Sequence, residues 1–126
     1  MGATMATGTL IGESLRVGAS LDGVTLTVSN VFRTEAGDEG AGQPRAWTFI
    51  EFDVADGEAE RLALALSDAL EPAQGWYCDF RTEEETFVVF AGRLFRYPRG
   101  EAEGRANAEA YGQSVGVPKF QLDWPE

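Results

Sequence analysis

The 126-residue sequence contains no histidine, one cysteine and, among ten basic residues, only one lysine, Lys119. Without histidine the commonest general base, the Ser-His and Cys-His nucleophile pairs and the commonest zinc ligand all disappear together. Acid–base work would fall to carboxylates, tyrosine, Cys78 or Lys119, and a bound metal would have to be a hard, oxygen-ligated ion such as magnesium or calcium. No EF-hand loop, phosphate-binding loop or dinucleotide fingerprint occurs. The glycines of AGDEGAGQP, residues 36–44, lack both the spacing and the strand-to-helix setting. The expectation is therefore no metal and no cofactor.

A lone cysteine cannot close an internal disulfide, so nothing points to a secreted disulfide scaffold. The opening MGATMATGTLIGES has no basic leader and no apolar stretch long enough for a signal peptide or a membrane span, and the expected location is the cytoplasm, with no membrane partner. The 21 acidic residues leave a formal net charge of -11, which repels nucleic-acid phosphate and anionic lipid. Nucleic acid is excluded as a general partner; a solvated acidic surface, or one that docks a basic protein, is not.

What remains is a chain of 44% hydrophobic content and the length of one domain, residues 1–126, with one core. LRVGASLDGVTLTV alternates apolar and polar residues on both sides of Asp22-Gly23, a dipeptide suited to a two-residue hairpin turn. It predicts an N-terminal hairpin over about 13–32, with Leu21 opposite Val24 and Val17 opposite Val28. Residues 36–45 have the glycine, proline and charge of an exposed, mobile loop. A β-α-β-β-β-α core follows over 46–124.

In that core AWTFIEFDV reads as an interior strand, with Thr48, Ile50, Phe52 and Val54 facing one way and Trp47, Phe49, Glu51 and Asp53 the other. Asp56 is the expected N-cap of a helix whose stripe is Ala59, Leu62, Leu66, Ala69 and Leu70. GWYCDFRTEEETFVVFAGRLFRYPRG, residues 75–100, then carries seven aromatic rings and four arginines. It reads as a three-stranded meander, with TFVVF central and Trp76, Cys78 and Phe80 alternating with Tyr77, Asp79 and Arg81. A second helix places Ala102, Ala106 and Ala110 on a small-residue face toward the sheet. In the tail, Phe120, Leu122 and Trp124 alternate as a docked segment would, with Gln121 and Asp123 beside the helix end. The whole predicts an α+β fold: a mostly antiparallel sheet of about five to six strands, with both helices on one face in two layers.

Most of the rings at alternating positions are accounted for by core packing. One polar group stands apart. Tyr77, Asp79 and Arg81 share a sheet face, and Arg93 and Tyr97 approach them from a neighbouring strand, a patch able to hold a small anionic or planar ligand. Cys78, on the opposite parity, is expected in the core.

From Trp47 to Trp124 the chain resembles a small bacterial domain family with no known activity. Its members share a Trp-Tyr strand, here Trp76-Tyr77, and an F-x-G-basic-x-F hairpin, here Phe90 to Phe95. They also share an end of the form YG-x-S-x-G-[IV]-P-x-x-Q-L-D-[FW], here YGQSVGVPKFQLDW from Tyr111 to Trp124. The resemblance implies a fold boundary and assigns no catalytic residue.

Three functional readings stay open, and their balance is against an enzyme. The first is a non-catalytic protein-interaction module using a sheet face, an edge strand or its acidic surface, toward a protein partner or a second copy. The second is a small-molecule-binding protein or enzyme built on Tyr77, Asp79, Arg81, Arg93 and Tyr97, with Asp79 as the base. The third is an acidic inhibitor or immunity-type protein that presents carboxylates as a decoy.

Overall fold

Six strands, β1 (Met5–Ile11), β2 (Thr27–Glu35), β3 (Ala46–Ala55), β4 (Cys78–Arg81), β5 (Glu85–Phe90) and β6 (Arg93–Pro98), form one antiparallel sheet in the order β2-β3-β1-β4-β5-β6. Two helices, α1 (Ala59–Ala69) and α2 (Ala102–Ser114), pack on it, so the fold class is α+β. This is a computed structural model, and it describes residues 4–125. No helix among the described residues is long and apolar enough to cross a membrane.

The stripe on α1 is buried as its spacing requires: Ala59, Leu62, Ala63 and Leu66 pack on Phe80, Phe87 and Val89. Asp56 does not cap this helix. It lies in a preceding 3-10 turn, Asp56–Glu58, where its Oδ2 accepts a bond from the Thr4 hydroxyl at 2.5 Å. The β4-β5-β6 meander follows the sequence reading, and β5 is buried on both faces: Phe87 and Val89 meet α1, while Val88 and Phe90 join Ala108 of α2. Successive side chains on a strand point to opposite faces. The two helices therefore cover opposite faces of the sheet, which corrects the expectation that both share one.

The inward side of α2 also differs from the expected one. Ala102, Ala106 and Ala110 are exposed, while Ala108 and Gly112 are buried and Gly104 lies over Tyr97. Both sides of this helix offer small residues at four-residue spacing. The side that also carries Tyr111 and Val115 can bury more apolar surface, and it faces the sheet.

The predicted 13–32 hairpin does not form. β1, upstream of it, enters the middle of the sheet, and the chain after it crosses to the end of α1: Leu15 bridges Leu70, and Arg16 N–H donates to the Ala69 carbonyl at 3.0 Å. Gly23 does adopt the positive φ of a turn, +79°. However, Leu21, Val24 and Leu26 pack against the α1 cluster instead of pairing across it, and Val17 is fully exposed. The alternation recorded burial, which a loop lying on the core satisfies as well as a strand does. Segment 36–45 likewise departs from a bare exposed loop. It contains a 3-10 turn, Glu39–Ala41, and buries Gln43, which donates to the Gln74 carbonyl at 2.8 Å and exchanges amide bonds with Gln121.

β1 joins two halves of the sheet, and Gly8 is its crossing point. Gly8 stands opposite Phe52 on one side and Phe80 on the other, and the two rings approach over it to a centroid distance of 6.1 Å. A Cβ at this position would come within 2.4 Å of the Asp79 carbonyl oxygen and 2.5 Å of the Phe80 Cβ. Gly8→Ala should therefore cost at least about 2 kcal/mol in urea unfolding. Gly57→Ala, where a Cβ meets nothing within 4 Å, should stay within about 0.5 kcal/mol. Equal effects at the two sites would refute this account of the crossing.

Candidate functional site

The sheet face bearing α2 is only half covered. α2 and the tail behind it lie over β5 and β6, where Leu122 and Trp124 are buried with Val88, Phe90 and Tyr97. The β2-β3-β1 side stays open, and at the step between the two lies a cleft of about 660 Å³.

Strand register lays out its floor. Thr9 of β1 is opposite Glu51 of β3 on one side and Asp79 of β4 on the other, and Asn30 of β2 is opposite Glu51. Asn30, Glu51, Thr9 and Asp79 thus form one row across four strands, with the two carboxylate residues about 10 Å apart at the Cα atoms. Asn30 Nδ2 donates to Glu51 Oε1 at 2.9 Å. The walls are aromatic. Phe32 and Phe49 stack in parallel at 4.8 Å, and Trp47 and Trp76 meet at 5.0 Å. The tail supplies the opposite wall with Gln121, Asp123 and Trp124, and Phe120 projects at the rim with 69% of its surface exposed.

Tyr77, Asp79 and Arg81 are brought together on this floor. Arg81 donates to Asp79 at 2.8 Å, and both side chains are largely buried. Burial pushes the Asp79 carboxyl up to about 6, and the nearby Asp123 charge adds to the rise, against the pull of Arg81. Tyr77 donates its hydroxyl proton to the Gln121 carbonyl, and burial together with Asp79 and Asp123 holds its pKa far above the usual range. It is a fixed donor and not an acid near neutral pH. Arg81 Nε is buried without a hydrogen-bond partner, as is the hydroxyl of Thr86, the residue opposite Arg81 on β5.

Arg93 and Tyr97 share the sheet face with these three but not the cleft. Tyr97 lies under the tail and accepts the Trp124 Nε1–H at 2.7 Å. Arg93 lies near the far edge of the sheet, its guanidinium over the rings of Phe95 and Tyr111 at 4.8 and 5.4 Å. Parity could place all five residues on one face; it could not show that α2 and the tail divide that face. Glu51, Thr9 and the Phe32–Phe49 pair were missed as site residues. Their signal was the strand alternation already visible in AWTFIEFDV, but pairing with β1 and β2 was needed to set them beside Asp79. Trp76 is on the cleft side with Trp47, opposite to its expected parity, because regular pairing in β4 starts only at Cys78. Cys78 is fully buried on the α1 side, and burial raises its thiol well above the ordinary value. Among the described residues, no three cysteine or carboxylate side chains are grouped to hold a metal.

Comparison with models of known protein families, with curated proteins and with solved structures finds no match.

A carboxyl raised from 3.8 to about 6 holds its proton more tightly in the folded than in the unfolded protein. Its ionisation then opposes folding: the cost is absent below about pH 4, grows as pH rises through the folded pKa, and reaches about 3 kcal/mol by neutrality. The Asp79 carboxyl resonance should titrate near pH 6 and move toward the ordinary range in Asp123→Asn. A midpoint near 4 in the unmodified protein would remove the proposed burial of this charge.

Proposed function

We infer that this domain is a non-catalytic binding module whose cleft receives a positively charged organic group with an apolar or aromatic body. The observation that carries the reading is the charge balance under the aromatic walls. Three carboxylates, Glu51, Asp79 and Asp123, face one guanidinium, Arg81, which is already engaged by Asp79. A cation entering the cleft gains Coulomb attraction from below and ring-face attraction from the sides. An anion would find only the unpartnered Arg81 Nε, ringed by three carboxylates, so the charge balance favours a cation over the small anionic ligand first expected of the Tyr77–Asp79–Arg81 patch.

Catalysis is the weaker reading. The most perturbed carboxylate, Asp79, is held in an ion pair with Arg81, and Tyr77 is committed to a backbone carbonyl. These contacts orient groups for recognition, and Asp123, the second carboxylate near Asp79, adds negative charge that suits a bound cation. A decoy role would draw instead on acidic side chains spread over the surface, whereas Glu51, Asp79 and Asp123 are gathered in one cleft.

Two probes of the same ring system and opposite charge test the reading by calorimetry. Tryptamine should bind and indole-3-acetate should not. Glu51→Gln and Asp123→Asn should each weaken tryptamine by about threefold to fivefold. Binding should also weaken as pH falls through about 6, because Asp79 takes up a proton and the floor loses a negative charge while the amine stays protonated. Equal binding of both probes, or binding of neither, would overturn the cation reading.

A further inference from the structure

The cleft opens at one side onto β2, and β2 is exposed along its whole length. It is the outermost strand on that side, and among the described residues no strand pairs with its outer edge. Val28, Val31 and Phe32 expose 50%, 57% and 41% of their surface there. A long edge strand with apolar side chains offers unpaired N–H and C=O groups to any extended segment. The opposite edge is protected: β6 is shorter, carries Arg93 and Arg96, ends at Pro98 and has a helix packed on each face. On β2 the interruptions are a bulge between Val28 and Asn30 and a single arginine, Arg33. Asn30 to Glu35 remain in unbroken register with β3.

We propose that an extended, basic peptide segment adds to the sheet along Asn30–Glu35 of β2 and sends a lysine or arginine side chain over the Phe32–Phe49 ring pair toward Glu51. The proposal rests on the cation reading of the cleft and names where the cation comes from. Strand addition uses main-chain hydrogen bonds for affinity and alternate side chains for specificity. A side chain opposite Phe32 on the cleft face starts two strand spacings across and two residues along from Glu51, about 12 Å at the Cα atoms, within the joint reach of a lysine and a glutamate side chain. Its aliphatic stem would lie on the stacked rings, with its charge at the carboxylate. Residues of alternate parity would meet Val31, so the fitting sequence alternates basic and apolar residues.

Charge decides between this occupant and a second copy of the chain. Two copies bring a formal charge of -11 each to the contact. Antiparallel self-pairing centred on Val31 would set Arg33 against the copy's Ser29 and Glu35 against its Thr27; centred on Thr34 it would set Arg33 against the copy's Glu35, exposed ion pairs too weak to offset the repulsion between whole copies. A basic peptide has attraction at long range and at Glu51.

The test uses the whole protein and three capped eight-residue peptides read by calorimetry: alternating Lys-Val, the same peptide N-methylated at alternate residues so that one edge cannot hydrogen-bond, and alternating Glu-Val. The Lys-Val peptide should bind at least about tenfold tighter than its N-methylated form, a difference of about 1.4 kcal/mol, and Glu-Val should not bind. Glu51→Gln should weaken the Lys-Val peptide while leaving the ratio to the N-methylated form unchanged. Equal affinity of the two lysine peptides would overturn strand addition and leave the cation reading intact; so would tryptamine binding without peptide binding. Failure of tryptamine and of all three peptides would remove both. A dimer in light scattering that Val31→Lys converts to monomer would give the edge to a second copy and overturn the peptide proposal.

Discussion

The structure depends on β1 lying between β3 and β4. Those neighbours are separated in the chain by α1 and a turn, and no other described strand links the β2-β3 pair to the β4-β5-β6 meander. Gly8 makes the insertion possible. With no Cβ, it lets the strands close on one another and lets Phe52 and Phe80 meet across the gap, tying the two halves of the core under α1. The other face of β1 brings Thr9 between Glu51 and Asp79. The strand that completes the core therefore also assembles the floor of the cleft.

The two faces of this sheet have different physical characters. Under α1, the aliphatic stripe of the helix and the rings of Phe52, Phe80 and Phe87 make a continuous apolar cluster. On the other face, α2 with its glycines approaches closely enough for Gly104 to lie on Tyr97 and Gly112 on Phe90 and Leu122. The tail continues that cover and is held by Trp124 to Tyr97, Arg105 to the Trp124 carbonyl at 2.8 Å, and the Gln43–Gln121 amide pair. Where this cover stops, carboxylates are left near aromatic surface. Asp79 pairs with Arg81, but burial beside Asp123 still makes its charge costly. A site that tolerates such a cost for folding is one in which an incoming cation would regain it.

Several elements were legible because their signals are local. The α1 stripe, the double-faced apolar run of β5 and the tight turns around it follow from periodicity over a few residues, and each formed where the spacing placed it. The joining of Tyr77, Asp79 and Arg81 was legible for the same reason, since strand parity needs no partner. The failures are of another kind. LRVGASLDGVTLTV has the alternation and the turn of a hairpin, yet Leu15 pairs with the end of α1, and the strand that mattered was MATGTLI, whose own pattern is interrupted by Gly8. On α2, alanines two residues apart from the buried side gave an equally good periodicity on the exposed side.

By itself the sequence determined the class of fold, the acidic charge and the absence of histidine chemistry, because composition, net charge and short-range periodicity belong to the chain before it folds. Only the tertiary structure decided that the helices take opposite faces, that Arg93 and Tyr97 are cut off from Asp79, and that Glu51 stands in its row. Those outcomes depend on which strands become neighbours. The physical reason is that parity states which face a side chain takes, whereas strand order and the cover laid over each face state what it meets there. Both come from competition among long-range contacts for the same buried surface.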